Sequence, residues 1–296
     1  MTTTNSQGGV GQNELHRTFI AMLFAFVAAV VAQQIAEHLI VATNNWKLGD
    51  SPDAMYERLK GDGLYLVAAF SHSALALLML TMSWIMWSKS QGGGHRPDIT
   101  SVFSVKFLIV LIEVFLVVLY FAVAKTNEAN IATYSEELGL RSYVKTASAY
   151  PEAVQIQWIF AVFLVWDVIV DVLASRRSIP AVGLWNKAVA ILQGVLTYCL
   201  ISALCLAGAF FIAKQAPLYD SPVQAISGDI ALIALLLLFN IGKSFEYYFR
   251  EWMPNEKLRD NTVRDTPPKT WELATIGGLV LVYAGSMIVI VLSHDA

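Results

Sequence analysis

The sequence predicts an all-α, polytopic membrane protein, a bundle of about seven transmembrane helices. The chain has 296 residues, of which 56% are hydrophobic and 15% are charged, whereas soluble domains carry about 25% charged residues. Its apolar residues fall into blocks of roughly 20, the length of helix that crosses the hydrocarbon core. Helices are favoured over strands because a helix satisfies its own backbone hydrogen bonds in lipid.

The chain divides into a short tail and one membrane domain. Residues 1–14 are polar and rich in glycine, and we expect them to form a disordered N-terminal tail. Residues 15–296 form a single transmembrane helical domain. The predicted spans are residues 17–42, 63–88, 102–125, 152–175, 187–213, 223–249 and 271–293.

The distribution of Lys and Arg predicts the orientation. Basic residues in and beside the loops that follow spans two, four and six outnumber those that follow spans one, three and five. Because Lys and Arg concentrate on the cytoplasmic side, the N-terminus is predicted to be cytoplasmic and the C-terminus outside. The predicted location is a bacterial inner membrane or a plasma membrane.

Four ionisable residues in spans three and four are the main candidate site. Helical rise places Lys106 at the depth of Asp171, and Glu113 at the depth of Asp167. Asp167 and Asp171 are four residues apart and share one helix face. A carboxylate pair there could conduct or couple cations or protons, since two close carboxyls cannot both ionise easily. Alternatively, a Lys106–Asp171 ion pair and a protonated Glu113 hold two helices together.

A second group of polar residues lies near the other side of the membrane. It includes Glu37 and His38 at the end of span one, His72 in span two and Asp229 near the start of span six. The histidines could pack, sense pH, line a permeation route or bind a metal or haem. Their depths differ and their spacing matches no metal-binding motif, so we predict no metal site and no cofactor.

The cytoplasmic end of span six carries Asn240, Lys243 and Glu246. Lys243 and Glu246 are three residues apart, so they can pair on the helix surface. We interpret this group as an interfacial charge ladder whose long side chains reach the membrane surface.

Span seven has small residues at Ala274, Gly277, Gly278, Ala284 and Gly285. Small residues let helix backbones approach closely. They predict a packing face, which could join two subunits of a homo-oligomer.

Several functional classes find no support in the sequence. It has no phosphate-binding glycine loop, no HExxH pair and no GxSxG elbow, so we do not predict an enzyme. The last span has no lysine for a retinal Schiff base, and no basic run suggests nucleic acid.

The leading hypothesis is a protein that conducts cations or protons or couples to them, with the lipid bilayer as its main partner. One alternative is a membrane sensor or interaction protein that binds partners through the basic loop 250–270. Another is an intramembrane haem or metal redox protein that uses His38 and His72.

Overall fold

The computed structural model is almost entirely helical, and the residues that it describes contain no β-strand, only isolated bridges. The described residues are 8–45, 51–58, 63–91, 105–126, 129–135, 137–144, 147–174, 191–192, 194–196, 198–216, 221–249 and 269–293. An all-helical chain is what the apolar blocks predict.

The helices follow the predicted spans closely, although α1 begins before the predicted domain boundary at residue 15. In the described ranges they are α1 (Gly8–Asn45), α2 (Pro52–Arg58), α3 (Leu64–Gln91), α4 (Val105–Lys125), α5 (Leu140–Tyr143), α6 (Tyr150–Trp166), α7 (Leu200–Gln215), α8 (Pro222–Phe249) and α9 (Thr270–Leu292). Helix α6 continues directly into a π-helical segment, Asp167–Ala174.

Six of these helices are long and apolar enough to cross a membrane: α1, α3, α4, α6, α8 and α9. Each lies within one of the predicted spans or overlaps it. The predicted span 187–213 is described only in part, and its helix α7 is a shorter apolar helix. The chain is therefore a multi-pass membrane protein.

Six helices pack as a closed ring in the order α1, α3, α8, α7, α6 and α4, with α4 returning to α1. Contacts of α3 with α4, and of α6 with α8, fill the interior of this ring. Aromatic side chains contribute to the packing: Phe239 of α8 lies with its ring centroid 5.2 Å from that of Phe160 and 5.0 Å from that of Phe163. The order around the ring differs from the order along the chain.

Helix α9 lies outside the ring, against α8 and α7. The Tyr283 hydroxyl donates a hydrogen bond to the Gly208 carbonyl oxygen of α7 (3.0 Å). The predicted packing face of small residues is open in this chain, since a Cβ added at Gly277, Gly278 or Gly285 would meet no atom within 4 Å. Most of α9 is exposed apolar surface of the kind that contacts lipid.

The connection between α4 and α6 folds over one end of the ring. We call the described residues of this connection, 129–135, 137–144 and 147–149, the cap. Its turn at Gly139 has a φ of 68°, a left-handed conformation that glycine adopts without strain. Leu140, Tyr143 and Val144 of the cap are buried with residues of α1 and α3. The Ser221 amide, just before α8, donates to the Ala147 carbonyl oxygen (3.1 Å) and ties the cap to α8.

Gly228 in α8 marks the closest approach of a helix to the cap. A Cβ added at Gly228 would lie 2.1 Å from the Cβ of Ala149, which is far inside van der Waals contact. The absence of a side chain at residue 228 therefore lets α8 pack against the end of the cap.

We expect Gly228→Ala to destabilise the protein by about 1–3 kcal/mol, the usual cost of overpacking a tight contact. The matched control is Gly278→Ala, where the added methyl group meets open space. Thermal unfolding in detergent, followed by tryptophan fluorescence, compares the two. A combined Gly228→Ala and Ala149→Gly variant should regain stability. Equal unfolding temperatures for Gly228→Ala and Gly278→Ala would contradict the close approach.

Candidate functional site: two buried polar clusters

Ionisable side chains are buried at both ends of the helix ring. The histidine cluster, at the cap end, comprises His38, Ser71, His72, Ser73, Tyr143, Glu152 and Asp229. The lysine cluster, at the opposite end, comprises Asp167, Lys243, Ser202 and the carbonyl group of Tyr198. Buried charges in a membrane protein require compensation by partners, so the partners of each charged group within its cluster determine whether the charge is compensated.

His72 of α3 and Glu152 of α6 form an ion pair at the centre of the histidine cluster. His72 Nδ1 lies 2.7 Å from Glu152 Oε1, and both side chains are buried. His72 Nε2 lies 3.1 Å from the carbonyl oxygen of Val123, at the end of α4. Because a carbonyl oxygen only accepts hydrogen bonds, Nε2 carries a proton. The pair thus joins three helices of the ring.

Asp229 of α8 is the second buried carboxyl group of the histidine cluster, after Glu152. Its Oδ2 lies 2.5 Å from the Ser71 hydroxyl oxygen, and it is only 2% exposed. Glu152 and His72 are its electrostatic neighbours. In the described part of the chain, Asp229 Oδ1 and Glu152 Oε2 have no hydrogen-bond partner. Asp229 is therefore a second buried carboxyl group beside the His72–Glu152 pair.

His38 of α1 connects the cluster to the cap. Its Nδ1 is hydrogen-bonded to the Tyr143 hydroxyl group, and its Nε2 lies 2.9 Å from the Ser73 hydroxyl oxygen. Burial raises the pKa of the Tyr143 phenol above its usual range, and the nearby charge of Glu37 raises it further. Tyr143 therefore remains a neutral hydroxyl group at physiological pH and holds His38 in place.

The lysine cluster is built around an ion pair between α8 and the start of the π-helical segment. Lys243 Nζ donates to Asp167 Oδ2 (2.7 Å) and to the Tyr198 carbonyl oxygen (2.8 Å). The Ser202 hydroxyl group donates to the same Asp167 oxygen (2.5 Å). The lysine side chain is buried, unlike the interfacial ladder expected from the sequence. Asp167 therefore connects α6 with α7 and α8.

The backbone changes from α-helix to π-helix at Asp167. Short π-helical segments are rare and occur often at functional sites. Here the transition falls at the residue that accepts hydrogen bonds from both Lys243 and Ser202. This coincidence singles out Asp167 among the buried acids.

Glu113 of α4 lies beside α1. Its Oε2 is 3.3 Å from His16 Nε2, and the glutamate is 5% exposed. Helices α4 and α6 do pack against each other, as the candidate site in spans three and four requires. His16 is a partner that the sequence did not suggest, because it lies at the start of span one, where a polar residue is expected to meet the membrane surface.

The remaining predicted residues lie at the edges of the two clusters or outside the described side chains. Glu37 is half-buried and accepts a hydrogen bond from Gln33 (2.9 Å), and Asn240 is half-buried in α8. The side chains of Lys106, Asp171 and Glu246 lie outside the described residues.

Sequence reasoning missed Glu152, Tyr143 and Ser202. Glu152 lies in the first turn of α6 after Pro151, where an acid normally interacts with the helix dipole. Tyr143 lies in the cap, between two predicted spans, where the sequence predicts no polar site. Ser202 carries no sequence signal that distinguishes it from other small residues of an apolar helix. Each becomes significant only through its partner on another helix.

No three His, Cys, Asp or Glu side chains among the described residues are placed to share a metal ion. Both ring nitrogens of His38 and both of His72 already have protein partners within 3.1 Å. Binding a metal or haem through these histidines would therefore require breaking contacts that join the helices.

Comparison with protein-family models, with curated proteins and with solved structures finds no match to this chain. The geometry of the two clusters is therefore the basis for assigning a function.

We expect Lys243→Met to destabilise the protein by about 3–5 kcal/mol, because it leaves the Asp167 carboxylate buried without its cation. Adding Asp167→Leu should recover much of this loss, since the buried pair is then replaced by apolar side chains. The control Lys125→Met alters an exposed lysine over the Phe121 ring and should cost less than about 1 kcal/mol. Unfolding in mixed micelles measures all three. No recovery in the double variant would contradict the pairing.

Tyr143→Phe should reveal the raised pKa of the Tyr143 phenol. Neutral Tyr143 contributes stability below its unfolded pKa of about 10, and the contribution is lost as pH rises further, because only the unfolded chain then ionises. The wild type should therefore lose stability relative to Tyr143→Phe by up to about 1.4 kcal/mol per pH unit above about pH 10. Unfolding free energies at neutral and alkaline pH test this. A difference that does not change with pH would contradict it.

Proposed function

We propose that this protein conducts cations or protons across the membrane, or couples to their movement, through its buried carboxyl groups. The observation that carries the proposal is the burial of ionisable clusters at both ends of one helix ring. To one end of the proposed route we assign Glu113, Asp167, Asp171 and Lys106, whose positions along spans three and four predict matching depths. His38, His72 and Asp229 belong to the other end.

The energetic cost of these side chains supports a functional role. A charged side chain at the centre of a transmembrane helix costs roughly 2.5–3.5 kcal/mol on insertion scales. Apolar residues could hold the same helices together without this cost. Buried ionisable residues in transmembrane helices are therefore associated with ion pathways and proton relays.

The sign of the charges favours a cation over an anion. Among the buried side chains described here, four are carboxyl groups: Glu113, Glu152, Asp167 and Asp229. Lys243 is the buried lysine that offsets them, and the histidines are neutral unless protonated. Carboxylates attract cations and can carry protons, whereas an anion would be repelled.

Seven crossings are supported by the relative directions of α6 and α8. Glu152 and Asp229, near the starts of these helices, are electrostatic neighbours, and Asp167 and Lys243, near their ends, form an ion pair. The two helices thus run parallel, and the chain between them must cross the bundle once more. We propose that helix α7 belongs to that crossing. The excess of basic residues supports a cytoplasmic N-terminus.

We also propose that the chain forms homo-oligomers through α9. The open space beside Gly277, Gly278 and Gly285 could accept a close helix–helix contact with a second copy.

One observation favours a different function, that of a membrane sensor or scaffold. The Lys243 ammonium group has two oxygen partners and lies 5.7 Å from the centroid of the Phe239 ring. A group with so many partners is well suited to a fixed structural role. In that case the basic loop 250–270 would bind the partner.

Flux into liposomes distinguishes the two functions. The full-length protein is reconstituted with a pH-sensitive dye inside, and a proton or cation gradient is imposed. We expect Glu113→Gln and Asp167→Asn to reduce flux towards that of protein-free liposomes, because each removes a carboxylate from the route. The control Glu57→Gln changes an exposed acid of α2 and should retain full flux. Wild-type flux in both buried-site variants would refute the route.

A further inference from the structure

We infer that the histidine cluster binds one exchangeable proton on the carboxyl group of Asp229, and that protons are therefore the ions to which the protein couples. The identification of the coupled ion depends on the proposed function, whereas the binding of the proton does not. The inference follows from the hydrogen bonds of Ser71 and from the charge of the cluster.

The Ser71 hydroxyl group has two acceptors within reach but only one hydrogen atom. Its oxygen lies 2.8 Å from the Ala68 carbonyl oxygen and 2.5 Å from Asp229 Oδ2. A carbonyl oxygen and an ionised carboxylate oxygen both only accept, so the single hydroxyl hydrogen can serve Ala68 or Asp229 but not both at once. When the hydroxyl group donates to Ala68, the contact with Asp229 needs a hydrogen from the carboxyl group itself. A protonated Asp229 that donates to Ser71 satisfies both contacts.

The balance of charge in the histidine cluster also favours a protonated Asp229. A protonated His72 and an ionised Glu152, with their atoms 2.7 Å apart, compensate each other. An ionised Asp229 would add a second negative charge beside Glu152 with no further cation. Burying an uncompensated charge is far more costly than burying a neutral carboxyl group. One bound proton makes the group neutral.

Among the described residues, the charged and titratable groups at this end include no lysine or arginine that forms an ion pair with Asp229. Helix α3 contributes His72, α6 contributes Glu152, α1 contributes His38 and Glu37, and the cap contributes Tyr143. Two basic residues at the same end lie over aromatic rings, Lys125 over Phe121 and Arg141 over Tyr65. Within the described residues, the polar contact of Asp229 is with Ser71.

A proton fits this site better than a metal ion. No three metal-binding side chains are placed to share an ion in the described ranges. Oδ1 of Asp229 and Oε2 of Glu152 are acceptors for which the described residues supply no hydrogen-bond donor. Binding forms an O–H bond on the Asp229 carboxylate and releases the proton again at higher pH, with no change in oxidation state.

Infrared spectroscopy tests the bound proton directly in the reconstituted full-length protein. A protonated carboxyl group has a C=O stretching band separate from that of a carboxylate. We expect the wild type to show such a band, which disappears on raising the pH and is missing in Asp229→Asn. Glu57→Gln, at an exposed acid, should keep it. Identical bands in the wild type and Asp229→Asn would overturn the inference.

Ser71→Ala provides a second infrared test of the bound proton if Asp229→Asn does not fold. This variant removes the hydroxyl group that accepts from the carboxyl group, so the band should move to higher frequency. An unshifted band would overturn the inference.

The proton flux of the same variants separates this inference from the proposed function. If the Asp229 band is present but Glu113→Gln retains wild-type flux, the proposed route through Glu113 is refuted. The proton site on Asp229 is then still supported. If Asp229→Asn folds and retains wild-type proton flux, the proton on Asp229 is not the one that is coupled, and that part of the inference is overturned.

Discussion

The structure depends on the compensation of its buried charges by other protein groups. Hydrocarbon solvates neither a carboxylate nor an ammonium group, so every buried ion in this chain needs a partner on another helix or a change of protonation state. Lys243 and Asp167 meet this requirement as an ion pair, and His72 and Glu152 meet it in the same way. At Asp229 the requirement is met by a bound proton, which neutralises the carboxyl group, and by the hydrogen bond with Ser71. The helices are thus aligned by polar contacts as well as by apolar packing.

Most of the architecture could be predicted from the sequence, because length and apolarity are enough to identify a transmembrane helix. The positions of α1, α3, α4, α8 and α9 follow the apolar blocks closely. The depth of an ionisable residue could also be obtained from helical rise. Helical rise predicts membrane depth for Glu113 and Asp167, which stays a prediction; the structure shows that both side chains are buried among the helices.

The neighbours of these residues could not be predicted in the same way. Helical rise gives a depth but not a direction around the helix axis, and the order of helices around the ring differs from their order in the chain. The sequence therefore predicts a surface position for Lys243 in span six, although α8 packs beside α7 in the ring and contacts α6 across its interior. Glu152 was overlooked because an acid in the first turn of a helix is common. Tertiary packing decides which of these residues meet.

The position of α9 has a consequence for how the protein is made. The ring closes through α8, so every residue of both clusters is synthesised before α9 emerges from the ribosome. Helix α9 packs on the outer surface of α7 and α8, where the Tyr283 hydroxyl group bonds to the Gly208 carbonyl oxygen. The polar contacts described for the two clusters therefore include no residue of α9. A defect in α9 would affect stability or subunit association before it affected the buried polar groups.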